Sequence, residues 1–183
     1  MASFADYILD EKDYEKKIRI AHMLSKRDGI FFDTSVVVKT DLAKMFVEAM
    51  DIKDVDKNLL LTAGLLYACK KDNSHTALEK VQSYAKEGAQ YLKTLGFSDK
   101  FCKICEGHNR YTLPELKQRE KESDILEIID SFGGMMLSRP DRVAFKVDDA
   151  MTLLEFRNLK GRNNRYLEKF KEFMKMEVAD IRV

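Results

Sequence analysis

Residues 59–70 (LLLTAGLLYACK) constrain this chain more than any other stretch. Only Thr62 and Gly64 interrupt the apolar residues before the closing lysine. A helix of about three turns that is apolar all round has no face to offer water, so it belongs in the middle of a helical domain. It is also shorter than the ~20 apolar residues that cross a bilayer. Any arrangement of the remaining segments therefore has to surround it.

The rest of the sequence supplies helices to do so. With 183 residues, 45% of them hydrophobic and 34% charged, the chain suits one domain with its own core. Two prolines and eight glycines leave few breaks. Apolar periodicity predicts helices over 11–27, 35–50, 58–70, 76–95, 99–108, 123–138, a segment opened by Asp148-Asp149 and ended by Gly161, and 163–176. Val38, Leu42, Met45, Phe46 and Ala49 form the expected inner face of the second of these, capped by Thr34 or Ser35. Gly88 implies close packing within its helix, and Gly96 has the place of a C-cap. Ile30-Phe31-Phe32 leaves room for a short strand, and the charged run 115–122 reads as a solvated loop. The expected class is all-α, a single-domain multi-helix bundle, with 1–29 as an N-terminal helical extension and 30–183 as the main domain.

Bulk properties exclude some roles. A net charge of +1 gives no electrostatic case for nucleic acid. No run is long enough for a membrane span. The N-terminus, MASFADYILDEKD, lacks the basic-then-apolar order of a secretion signal, so a cytoplasmic location is expected. Three cysteines, Cys69, Cys102 and Cys105, do not make a disulfide framework. Cys102 and Cys105 share C-x-x-C spacing without a second pair to complete a zinc site, and they read as small core residues.

Three motifs carry a resemblance. Residues 125–142 (ILEIIDSFGGMMLSRPDR) place an aspartate, Asp130, ahead of Arg139-Pro140 and Arg142. Val147-Asp148-Asp149-Ala150-Met151 follows as a helix start, and residues 88–97 (GAQYLKTLGF) end an earlier helix. In their order these are similar to the HD-domain metal phosphohydrolases, in particular the HD-GYP-type enzymes that cleave cyclic dinucleotides. The similarity covers about residues 30–173.

That resemblance implies a metal site, because such enzymes use divalent ions to polarise a phosphate and to make hydroxide near neutral pH. It places Thr34 at the first histidine ligand, Tyr67 and Ala68 at the His-Asp pair, Tyr84 at a helical histidine, Gly107 and His108 at a His-His pair, and Asp130 at the late aspartate. Only His108 and Asp130 keep a ligand type. The branch's Gly-Tyr-Pro signature is absent from the loop Arg110-Tyr111-Thr112-Leu113-Pro114. Catalytic metal sites usually have at least three protein ligands. Tyr67 and Tyr84 are large enough to fill the space and to hydrogen-bond His108 or Asp130.

The expectation is a catalytically inactive HD-like domain, with no cofactor, that binds a protein partner or a nucleotide. Arg139, Arg142 and Lys146 are candidate contacts to a phosphate or an acidic partner. One alternative is a divergent metal phosphohydrolase with a divalent metal on His108, Asp130 and His75. Another is a structural interaction protein, such as a homodimer through helical faces.

Overall fold

Asp56 opens the central helix: its side chain accepts from the Leu59 backbone N–H at 3.0 Å. The computed structural model describes residues 2–71, 78–109, 119–138, 143–158 and 163–181. Among them, nine helices are formed and no strand. They are α1 (Phe4–Asp10), α2 (Tyr14–Asp28), α3 (Thr34–Ala49), α4 (Lys57–Leu66), α5 (Leu78–Thr94), α6 (Asp99–Gly107), α7 (Lys121–Met136), α8 (Val147–Asn158) and α9 (Leu167–Ile181). The architecture is the expected all-α bundle.

The apolar run is buried as its composition demands, with Leu60 to Leu66 all inside. It packs against α1, α2, α3, α6 and α7. However, α4 stops at Leu66 rather than continuing to residue 70. The chain leaves through tight turns, Cys69 N–H donating to the Leu66 carbonyl and Lys71 N–H to that of Ala68. Phe31 N–H donates to the Cys69 carbonyl at 3.0 Å, which ties 30–32 to this exit as a segment without regular secondary structure and not as a strand. Gly64 permits the α3–α4 contact, since a Cβ there would lie 2.8 Å from Thr40 Oγ1.

α3 is rotated from its expected face. Val36, Lys39, Thr40, Ala43, Phe46 and Val47 point inward, whereas Val38 and Met45 are about half exposed. The cap is Asp33, not Thr34 or Ser35; its carboxylate accepts from Ser35 N–H at 2.9 Å. The phase differs from the apolar pattern because Lys39 and Thr40, polar by type, occupy inner positions. The buried face of α7 agrees with the pattern at Ile125, Ile128, Ile129 and Phe132, and α7 packs on α3, α4, α6 and α8.

The N-terminal segment forms two helices where one was expected. Ser3 and Asp6 make a capping box that starts α1, a signal present in the sequence. Ala5, Ile8, Ile20, Ala21 and Leu24 join the common core. Lys17 is buried and donates to the Ile8 carbonyl and, at 3.0 Å, to Thr62 Oγ1, while Asn58 Nδ2 holds the Leu9 carbonyl at 2.9 Å. Carbonyls of the last turn of α1, which lack helical partners, are thereby satisfied.

The charged run is not all surface. Residues 115–118 lie outside the described residues, but Arg119 and Glu122 are buried. Arg119 ion-pairs with Asp124 and Glu127, Arg165 reaches Asp124 at 3.0 Å, and Glu122 accepts from Asp56 N–H at 2.8 Å. A buried guanidinium shared by two carboxylates is a case in which charges go inside because they are paired. Gly88 and Gly96 behave as expected. A Cβ at Gly88 would meet Cys69 Sγ at 3.3 Å, and Gly96 has a φ of 94°.

Candidate functional site

Four helices and the turn after α4 converge on one polar cluster. The turn begins at Tyr67, the C-cap of α4, whose backbone N–H still donates to the Ala63 carbonyl and whose side chain is buried. α5 contributes Tyr84, the C-cap of α6 is His108, α7 brings Asp130 and α3 brings Lys39. Tyr67, His108 and Lys39 are buried.

The bonding falls into two halves. In one, Asp130 Oδ1 accepts from the Tyr67 hydroxyl at 2.6 Å and from the Lys39 ammonium at 2.7 Å. In the other, the Tyr84 hydroxyl lies 2.7 Å from His108 Nε2, and His108 Nδ1 bonds the Cys105 carbonyl. The Tyr67 ring joins the halves, its centroid 4.5 Å from that of His108 in an edge-on contact. The Lys71 ammonium stands 5.9 Å from the Tyr84 ring centroid.

Protonation states follow from these partners. Burial pushes the His108 pKa below the ordinary histidine value, so the imidazole is neutral. A carbonyl only accepts, hence Nδ1 carries the proton and Nε2 accepts from Tyr84. Burial, followed by the charge of Asp130, pushes Tyr67 well above the usual phenol range and keeps it a donor. For Asp130, burial favours the acid, but the charges of Lys39 and Lys71 and the hydrogen bond from Lys39 outweigh it and hold the carboxyl well below the usual range.

The donor set does not fit a divalent ion. A metal-bound histidine typically has Nδ1–H on a carbonyl and Nε2 on the metal. His108 has the first half of that pattern, yet its Nε2 lone pair faces a hydroxyl. Asp130 Oδ1 already takes two donors, one of them cationic. Among the described residues, no group of three or more His, Cys, Asp or Glu is placed to hold a metal.

The structure thus brings together Tyr67, Tyr84, His108 and Asp130. Ala68 is buried in the turn and Gly107 ends α6; neither has a polar side-chain group to give. Thr34 is exposed on the first turn of α3, and Lys146 is exposed ahead of α8. Arg139, Arg142 and His75 lie outside the described residues. The residue that sequence reasoning missed is Lys39. Its signal was a lysine in phase with Val36, Ala43 and Phe46, an apolar spacing passed over for the competing one through Val38 and Met45.

The thiols stay apart from this chemistry. Cys69, Cys102 and Cys105 are free and buried, and burial raises all three pKa values, that of Cys69 to about 12. Comparison with family models, curated proteins and solved structures returns no match.

Proposed function

We propose that this chain is a metal-free, HD-like helical domain that works by binding and not by phosphate-ester hydrolysis. One observation carries the reading: Tyr84 sits on His108 Nε2, the nitrogen a metal would need. The Tyr67 contact to Asp130 supports it from the other side of the cluster. Both tyrosines are at positions where the resemblance expects ligands, and the chain's own hydrogen bonds occupy the place it gives to an ion.

Within that reading, a protein partner is favoured over a nucleotide. The apolar side chains Val38 and Met45 are about half exposed on α3, with Leu42 partly buried between them, an outward stripe suited to a protein contact. A reducing, cytoplasmic location is supported by three unpaired buried thiols.

Elemental analysis of protein purified without chelator tests the proposal. The expected result is metal far below one equivalent per chain. Stoichiometric manganese, iron or zinc that disappears in His108→Ala or Asp130→Ala would overturn it. A thermal-shift screen separates the partner classes, with no nucleotide expected to raise the melting temperature.

A further inference from the structure

We infer that Lys39 is the resident cation of this polar cluster, supplying from α3 a positive charge to the partly buried aspartate at position 130. The inference rests on the metal-free reading above and adds the residue that makes that state stable.

Lysine is almost never fully buried unless its ammonium is paired. Lys39 is only 3% exposed, and its ammonium lies 2.7 Å from Asp130 Oδ1. The two are far apart in sequence and are joined across the α3–α7 contact. Asp130 in turn needs a partner, because an ionised carboxylate with no positive neighbour is costly inside a protein. The Tyr67 hydroxyl supplies a hydrogen bond to the same oxygen but no charge.

A second observation shows that the route of the lysine is built. Its stem passes over Gly133, one turn after Asp130 on α7. A Cβ at Gly133 would lie 2.7 Å from Lys39 Cγ, closer than real Cβ contacts come. Glycine in a helix interior is unfavourable by about 1 kcal/mol relative to alanine. Its place here is explained by the passage of the Lys39 chain. Lys39 and Gly133 therefore act as a pair: one brings the charge and the other leaves its path open. A divalent ion at Asp130 would meet a tethered ammonium already in place.

A double-mutant cycle in the full chain tests this, read by urea unfolding. Lys39→Met strips the bonded cation from a partly buried carboxylate, and Asp130→Asn strips the anion from a buried ammonium. Each is expected to lower the folding constant about a hundredfold or more. The double variant K39M/D130N should recover about tenfold or more of the combined loss. Losses that simply add, within about threefold, would overturn the inference. Should K39M not fold alone, rescue is the readout. A cooperatively melting double variant supports the pairing, and one as unfolded as K39M contradicts it.

Gly133→Ala gives an independent check. It should destabilise the wild type and be neutral or stabilising once Lys39→Ala has removed the stem. Equal losses in both backgrounds would contradict the pairing. Titration of wild-type protein with zinc and manganese separates the two levels of the account. A saturable shift in melting temperature would defeat the metal-free reading, whereas missing Lys39–Asp130 coupling without such a shift defeats the resident cation alone.

Discussion

The Tyr84 hydroxyl lies 2.7 Å from His108 Nε2, on the one ring nitrogen that the Cys105 carbonyl leaves available. This contact converts an imidazole oriented like a ligand into a closed hydrogen-bonded unit. Removing the hydroxyl with Tyr84→Phe leaves a buried acceptor without a donor, at a cost of about 1–3 kcal/mol. Tyr67→Phe removes a bond to an ionised acceptor, for which about 1.5–3 kcal/mol is expected. Urea midpoints of the two variants check both values. Losses near zero for both would show that the hydroxyls are not held in these contacts.

Lys17 gives a pH dependence with a definite sign. Burial, with help from the charge of Lys12, lowers its pKa from 10.5 to about 8. Between those values the unfolded chain binds the proton that the folded chain has released, so this group makes stability rise with pH. The buried thiols act the opposite way, since the folded state keeps protons that the unfolded cysteines lose. The test is therefore a difference: wild type should gain stability relative to Lys17→Met as pH rises from about 8 toward 10. A flat difference would place the Lys17 ammonium in water.

The thiols supply a chemical test of burial. Thiolate is the reactive form, and burial raises the pKa of Cys69, Cys102 and Cys105. In native protein at mildly alkaline pH all three should react slowly with a disulfide reagent, and all three should react at once in denaturant. Rapid reaction of a Cys102–Cys105 pair in the native state would instead indicate an accessible dithiol.

Arg119 should be among the most sensitive positions in the chain. It is buried between Asp124 and Glu127, with Arg165 on the far side of Asp124. Arg119→Met leaves two buried carboxylates short of a partner, for an expected loss of about 3–5 kcal/mol by chemical denaturation. A surface arginine would cost well under 1 kcal/mol.

What the sequence made legible follows from what periodicity records. The apolar run at 59–66 and the stripe Ile125, Ile128, Ile129 and Phe132 announced the two helices at the centre, because burial of apolar groups sets their spacing. Periodicity says nothing about buried charge. Lys39 and Arg119 looked like surface residues, yet each is inside because of a carboxylate distant in sequence or in a neighbouring turn. The same blindness shifts the face of α3: weighing Lys39 and Thr40 as polar favours the phase that turns Val38 and Met45 inward, whereas the structure exposes both. Tyr67, Tyr84, His108 and Asp130 were singled out only through the resemblance, and their mutual contacts depend on a turn after Leu66 where apolar pattern alone extended the helix.

The most direct measurement on the central account is the 15N spectrum of the His108 ring, recorded while zinc is titrated to saturation. The account predicts a neutral ring with the proton on Nδ1 and Nε2 accepting from Tyr84, with both nitrogen shifts unchanged by the metal. Movement of the Nε2 shift that completes at one zinc per chain, and that is lost in Asp130→Asn, would contradict it.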